Sequence, residues 1–300
     1  MKASGKRLCM KTIQLTEANL LPDVEVAALP GTFLYGPHHD RVVRDTTRVL
    51  KPDGSTLLIY AKDVLARSVC QHAFDTFKNI RIPFTDSRGL AAGGQPYRHR
   101  LRDGTLSRTV RWRPMRSTVL GYLDRTPRNP YCRMTTFTRD HFVVFQNAVP
   151  FVTAVDRVFY HLAPERWQAQ HDFVSTVPPD FVIPDTVFTS VTVNRSERTA
   201  THTDQHDYPP GLGVMSVLEG GRFYGCELIF PKYRTAVDMR TGGVCLADVH
   251  EWHGNANLIG ERGFVRLAFV FYAREHMDRC VTLEGERLRA TRISTPDLLI

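Results

Sequence analysis

Thr201-His202-Thr203-Asp204 (THTD), Trp252-His253-Gly254-Asn255 (WHGN) and FVRLAFVFY at 264–272 are the stretches on which the reading of this chain turns. On an extended backbone, residues two apart share a face, so one short strand end aims the imidazole of His202 and the carboxylate of Asp204 the same way. The alternating, β-branched run VFTSVTVN (187–194) predicts the strand leading to them. A second imidazole from a distant strand would complete a set of two histidines and one carboxylate on one face of an ion. Such a set leaves positions open and suits iron(II). DVHEWHGN offers His250 and His253 for that place. His253 is preferred, because GGVCLADV (242–249) needs a few residues of turn before the chain returns; His250 stays as the alternative. Arg266 begins the next alternating strand, and its guanidinium presents a two-pronged grip for a dicarboxylate. Arg262, in the turn ERG, is the nearby competitor and is expected to be exposed.

Each element of this set has a plainer reading. With 12 histidines in the chain, a lone His-x-Asp is weak, and a structural histidine at a barrel rim would explain it. Arg266 could be an ordinary ion-pair partner, although an unpaired buried guanidinium is costly without an anion. What strengthens the set is its order. Downstream of residue 187 the chain breaks into short strands separated by glycine-bearing turns: VFTSVTVN, GLGVMSVLE, GCELIFP, RTAVDMR, GGVCLADVH and RGFVRLAFVFYA. That spacing predicts a jelly roll, whose distant strands converge at one open end. The fold class expected is α+β, mainly β: a double-stranded β-helix core with N-terminal helices and strands packed around it. Taken together the residues point to an oxygenase that uses Fe(II) and 2-oxoglutarate as cofactors and molecular oxygen as a reactant.

The rest of the chain reads as one domain over 1–300. An N-terminal extension (1–180) carries helices and a basic hairpin, and the catalytic core spans 181–280. LLIY (57–60) reads as a buried strand. In the segment 62–79, Leu65, Val69, Ala73 and Phe77 fall at helical spacing. A second helical region is expected over 148–176, with Pro164 opening a fresh helix. Residues 1–50 are poorly periodic, and 85–94 is a small-residue loop. His141, His161 and His171 read as structural or superficial.

Hydrophobic residues at 42% and aromatics at 10% exclude wholesale disorder. The six cysteines are scattered without a C-x-x-C pair, which reads as free thiols in a reducing compartment. The first fifteen residues lack an apolar segment after their basic ones, so no signal peptide is expected. No apolar run is expected to reach membrane-spanning length, and the cytoplasm is the expected location. Net charge is +8, with a pI near 9.3, which favours polyanionic partners. Arg98, Arg100, Arg102, Arg108, Arg111, Arg113 and Arg116 crowd one stretch against a single acid, Asp103, with Tyr97 and Trp112 interleaved. A hairpin so charged would follow a DNA backbone; its plain reading is a solvated surface hairpin turning at RDGT (102–105).

The segments VTVNRSERTATHTDQHD, GLGVMSVLEGG, LIFPKYRTAVDMRTGG, DVHEWHGN and VRLAFVFYARE, covering about 187–276, with a weaker echo in SRGLAAG (87–93), together resemble the TET/JBP family of nucleic-acid dioxygenases. The resemblance implies oxidation of the 5-methyl group of a pyrimidine in DNA, with the base flipped out of the duplex. It implies His202, Asp204 and His253 as iron ligands and Arg266 as the 2-oxoglutarate clamp. It places Asp207 against the pyrimidine edge, with His206 and Tyr208 within reach by sequence position. Arg274 stands where the TET branch has a histidine, and Ser87 stands in place of an asparagine. Both departures bear on which base is taken; 5-methylcytosine ranks slightly ahead, with thymine as the alternative. The same chemistry on a free nucleoside, nucleotide or other small molecule, and a non-catalytic DNA-reading module, are the competing readings.

Overall fold

The computed structural model describes residues 9–294; residues 1–8, part of the stretch on which the absence of a signal peptide was expected, lie outside it. Two β-sheets face one another. In the larger, the strands Thr56–Ala61, Val244–Ala247, Gly213–Gly220, Val265–Tyr272, Ser190–Arg195 and Met115–Leu123 lie side by side in that order, all antiparallel. The smaller sheet runs Gly254–Asn255, Leu228–Phe230, Thr235–Val237 and Arg41–Val43. Strands distant in sequence thus sit side by side, as a jelly roll requires.

Alternation along Val265–Tyr272 decides what each face does. Leu267, Phe269 and Phe271 point to a layer of helices, where Phe269 meets Phe77 and Phe151 at ring distances of 5.3 and 5.1 Å. Burying a phenylalanine here contributes about 2–3 kcal/mol. Arg266, Ala268, Val270 and Tyr272 point the other way, into the space between the sheets. Register places Met215 opposite Val270 on one neighbour, and Asn194 and Thr192 opposite Ala268 and Val270 on the other. The strand that closes the core therefore also floors a cavity.

The helix Arg67–Phe77 lies inside the segment expected to be helical, and a fresh helix does begin at Pro164. Three expectations need correction. The long helix starts at Phe142, six residues ahead of Ala148, and is long and apolar enough on length and composition to cross a membrane. Here its Phe145, Phe151, Val155 and Phe159 pack into the core against the large sheet. Second, the poorly periodic N-terminus supplies strands: Lys11–Gln14 pairs with Thr47–Leu50, and Arg41–Val43 extends the small sheet. Third, Cys132 and Cys280 form a disulfide across 148 residues, leaving Cys9, Cys70, Cys226 and Cys245 as thiols. Spacing gave no hint of it, because packing of the C-terminal segment against 124–134 brings the pair together.

Candidate metal centre and substrate cavity

His202 and His253 face each other across an isolated antiparallel bridge, each backbone N–H donating to the other's carbonyl at 2.9 Å. Their rings are 4.4 Å apart. Asp204 lies two residues beyond His202, with its oxygens 3.6 Å from Nε2 of His202 and 3.8 Å from Nε2 of His253. All three ligand atoms lie within 4.8 Å of one another. A carbonyl oxygen can only accept, so the 2.8 Å contact of His202 Nδ1 with Ala200 O and the 2.9 Å contact of His253 Nδ1 with Glu251 O make Nδ1 the donor in each ring. Each Nε2 lone pair is left free for a metal, with ring orientation fixed from behind. Burial, and then the neighbouring His253, pushes His202 down to about 4, so its imidazole stays neutral at pH 7. The set of two imidazole nitrogens and one carboxylate fits iron(II). His250 stands outside it, its ring 3.4 Å from Asp248.

A network from the N-terminal half braces this turn. Lys51 Nζ donates to Asp248 at 2.6 Å and to Glu251 at 2.7 Å, and the Tyr233 hydroxyl donates to Glu251 at 2.6 Å. Asn255 ties the other side: its Oδ1 accepts from the N–H and hydroxyl of Thr199, and its Nδ2 donates to Cys226 O.

A cavity of about 450 Å³ opens from the three ligands over the floor described above. Arg266 is 2% exposed. Its strand partner Glu219 is occupied by Arg240 and the N–H of Thr241, and Arg266 Nε has no partner among the described residues. A buried guanidinium without an acid costs several kcal/mol unless an anion fills the space. The planar, positively charged fork of Arg266 suits the carboxylate of a dicarboxylate cosubstrate. Arg262 is exposed, as expected.

At the cavity's other end, Asp207 and Arg274 bridge through their backbones. Burial, and then the nearby Asp204, holds the Asp207 carboxyl well above the usual carboxylate range, and its Oδ2 is unpartnered. Ser87 and His206 line the same cavity; Tyr208 instead stacks on Phe173 at 4.4 Å. Two contributors escaped the sequence reading. Asp124 accepts from Arg274 Nε at 2.6 Å. Arg88, whose Nε is buried without a partner, lines the cavity, and its charge reaches both His202 and Asp207. Arg88 lies next to Ser87 in the echo SRGLAAG, the one sequence signal that could have found it.

The arginine-rich segment forms a hairpin, bridged at Tyr97–Arg111 and Arg100–Leu106. Its root adjoins the cavity: Arg111 pairs with Asp86 at 2.8 Å, the Trp112 N–H donates to Asp86 O, and Trp112 lines the wall. Arg113 contacts Glu197 at 3.5 Å, and Arg116 covers the Phe84 ring. Arg98, Arg100, Arg102 and Arg108 are exposed and have no acidic partner among the described residues.

A jelly roll with this facial ligand set and an unpaired buried arginine defines the class of 2-oxoglutarate- and iron-dependent oxygenases. A family model described as the oxygenase domain of the 2OGFeDO superfamily (Tet_JBP) matches residues 119–275, and the chain belongs to that family. Iron(II) and 2-oxoglutarate are the cofactors of that superfamily. Among curated relatives, the "Bifunctional helicase and thymine dioxygenase JBP2" of Leishmania braziliensis is 32% identical over 189 residues, 62% of this chain and 17% of that protein. The "Thymine dioxygenase JBP1" of Trypanosoma brucei brucei is 32% identical over 178 residues, 58% of this chain and 21% of that protein. The match thus spans about a fifth of those relatives. The solved structure "NgTET1 in complex with 5mC DNA" superposes with a TM-score of 0.58 at 14% identity, covering 83% of this chain and 86% of that one, and shares the fold.

Proposed function

We propose that this chain hydroxylates the 5-methyl group of a pyrimidine in DNA, using iron(II), 2-oxoglutarate and oxygen. The observation that carries the reading is the shared cavity: the His202–Asp204–His253 set, the unpaired Arg266, and the Asp207–Arg274 pair all open into it. When bound, the iron and its cosubstrate supply the oxidising power for an unactivated methyl group, with 2-oxoglutarate leaving as succinate and carbon dioxide. The chain's own part is placement. Arg266 anchors the far carboxylate of the cosubstrate, over a floor that includes Ala268 and Val270. Asp207, Arg274, Ser87 and His206 hold the flipped base, whose methyl group could not otherwise reach a recessed centre.

When it carries a proton, the Asp207 carboxyl presents one donor and one acceptor side by side. That pair matches O4 and N3–H of thymine; reversed, it matches N3 and the amino group of 5-methylcytosine, so Asp207 alone accommodates both. The activities for which the curated relatives are named favour thymine over the 5-methylcytosine ranked first from the sequence. Arg274, in place of a histidine, fits that preference, being a donor that suits a carbonyl-rich base. 5-Methylcytosine is the second reading, supported by the fit of its edge to Asp207. The deciding experiment loads the protein anaerobically with iron and 2-oxoglutarate, then admits oxygen with methylated, unmethylated or thymine-only duplexes, alongside free nucleosides. Mass spectrometry of the digested products should show a 5-hydroxymethylpyrimidine from DNA. Oxidation of nucleosides alone would reject the DNA reading.

A further inference from the structure

Asp124 and Arg274 continue two strands that do not pair with each other. Met115–Leu123 and Val265–Tyr272 flank Ser190–Arg195 on opposite sides, so their axes stand about 10 Å apart, two strand spacings of ~4.8 Å. Thr189, just ahead of the middle strand, ends the ladder: its carbonyl accepts from the Tyr122 N–H, and its N–H donates to Tyr272 O. Beyond it the two outer chains are tied by other bonds. The Arg274–Asp124 bond comes first. Glu286 follows, accepting from Arg125 and from the N–H groups of Cys132 and Val281, and the Cys132–Cys280 disulfide is the covalent tie. Cys132 follows Asp124 by eight residues and Cys280 follows Arg274 by six, so ion pair and disulfide close the two ends of one small ring. Both sides of the ring are stiff. Thr126 and Asn129 exchange backbone hydrogen bonds, and the Arg133 guanidinium donates to the carbonyls of Asp124 and Tyr131. On the other side, the N–H of Met277 turns back on Arg274 O and that of Cys280 on Met277 O. Stiff, bonded segments carry a displacement at one end to the other.

We propose that the Cys132–Cys280 disulfide positions the Asp124–Arg274 pair, and that its reduction by a dithiol lowers turnover of DNA while leaving the iron and cosubstrate sites intact. The proposal rests on the DNA reading above and adds a redox control to it. The disulfide is the one bond such a reductant changes, because Cys9, Cys70, Cys226 and Cys245 are already thiols. Its cover is thin: the two cysteines are 3% and 6% exposed, and Arg128, Asp278, Arg279, Val281 and Thr282 around them are exposed. In the exchange, one thiolate of the dithiol attacks a sulfur of the pair and the S–S bond breaks to a mixed disulfide. The second thiolate resolves it. Two electrons and two protons end on Cys132 and Cys280 as thiols, and the reductant leaves as its cyclic disulfide. The iron and cosubstrate sites hang on other elements. His202 and His253 bridge each other, and Arg266 stands at the opposite end of its strand from Tyr272.

The test compares wild type, Cys132→Ser/Cys280→Ser and, as control for the exposed thiol, Cys9→Ser. Each is assayed before and after anaerobic treatment with dithiothreitol, which is then removed, and mass spectrometry of alkylated protein counts the thiols. Reduced wild type and the double variant should lose about tenfold in kcat/KM for DNA, with iron and 2-oxoglutarate affinities within about twofold of oxidised wild type. In an Asp124→Asn background the loss should not multiply, because both changes act through one pair. Oxidised glutathione should restore wild type and Cys9→Ser but not the double variant. Hydrogen exchange should quicken over 124–132 and 274–280 on reduction and stay unchanged over 248–255. Should the double variant fail to fold, reduction and reoxidation of wild type carry the comparison. A disulfide that survives dithiothreitol, full DNA turnover with two new thiols counted, a loss that multiplies with Asp124→Asn, or an equal loss of cosubstrate affinity would overturn the proposal. Should wild type oxidise no DNA at all, the functional reading fails; the exchange arm still decides whether the disulfide holds the pair.

Discussion

Arg274 and Asp124 meet in a buried, charge-assisted hydrogen bond, with Nε donating to Oδ1 at 2.6 Å. The Arg274 N–H donates to the Thr189 hydroxyl, and its backbone bridges Asp207. Asp124 therefore holds the guanidinium, and Thr189 and Asp207 hold the backbone behind it, at the substrate end of the cavity, away from the cosubstrate. Asp124→Asn keeps the shape and an acceptor oxygen but removes the charge. Charged hydrogen bonds are worth about 1.5–3 kcal/mol against about 1 for neutral ones, so the expected loss is about tenfold in kcat/KM for DNA. The KM for 2-oxoglutarate should stay within about twofold. A matching rise in that KM would show that Asp124 supports the whole cavity and not the substrate end.

Arg266 makes the reciprocal case. Arg266→Lys keeps a positive charge but loses the planar fork, and Arg266→Met removes the cation. Removing one partner of a buried charged pair costs about 2–5 kcal/mol. Calorimetric titration of 2-oxoglutarate into iron-loaded protein without oxygen should show weaker binding by about tenfold for lysine and far more for methionine. Iron content should not change in either. Tight cosubstrate binding by the methionine variant would remove Arg266 from the clamp.

Much of this was legible because the jelly roll writes its two faces into one period. In FVRLAFVFY, alternate residues face the helices and the cavity, so the arginine that points inward could be picked from sequence. His202 and Asp204 were legible for the same reason. What stayed hidden depends on partners far along the chain, from tens of residues to nearly two hundred away. The strand Met115–Leu123 went unread because Arg113, Pro114 and Arg116 mask its start; its pairing with Ser190–Arg195 makes it a strand. The N-terminal strands are short and partly exposed, carrying little alternation of their own. Phe142 to Val144 open the long helix with a run as apolar and β-branched as a strand. Asp124, Arg88 and Lys51 carry ordinary residue types, and only tertiary proximity gives them a role.

Glu286 supplies a pH dependence. Its side chain is 1% exposed and accepts from the N–H of Cys132, the N–H of Val281 and the Arg125 guanidinium, beside the Cys132–Cys280 disulfide. Burial alone would raise its pKa; the hydrogen bonds from Arg125, Val281 and Cys132 outweigh it, and the carboxyl lies below its ordinary 4.5. A depressed acid stabilises the fold fully above its unfolded value and loses that contribution as pH falls through the folded one. Glu286→Gln should therefore lower the urea midpoint clearly at pH 7, and the gap to wild type should narrow below about pH 4.5. A gap of constant size from pH 7 to pH 3 would assign the effect to shape instead of charge.

Lys51 tests whether the turn that carries His253 is braced from outside the jelly roll. Its ammonium joins Asp248 and Glu251, and the Glu251 carbonyl accepts the Nδ1 proton of His253. Lys51 touches neither metal nor substrate, so it acts by positioning. Lys51→Met preserves the stem's packing while freeing both carboxylates. Loss of a group behind a ligand typically costs about 10–100-fold in metal affinity. Competition with a fluorescent chelator should show a weakening of that order, and a Lys51→Arg variant should recover part of it. His253→Ala should abolish tight binding, whereas His250→Ala, whose ring lies outside the ligand set, should bind iron like wild type. If His250→Ala loses iron and His253→Ala keeps it, the third ligand has been assigned to the wrong histidine and the brace has no metal to serve.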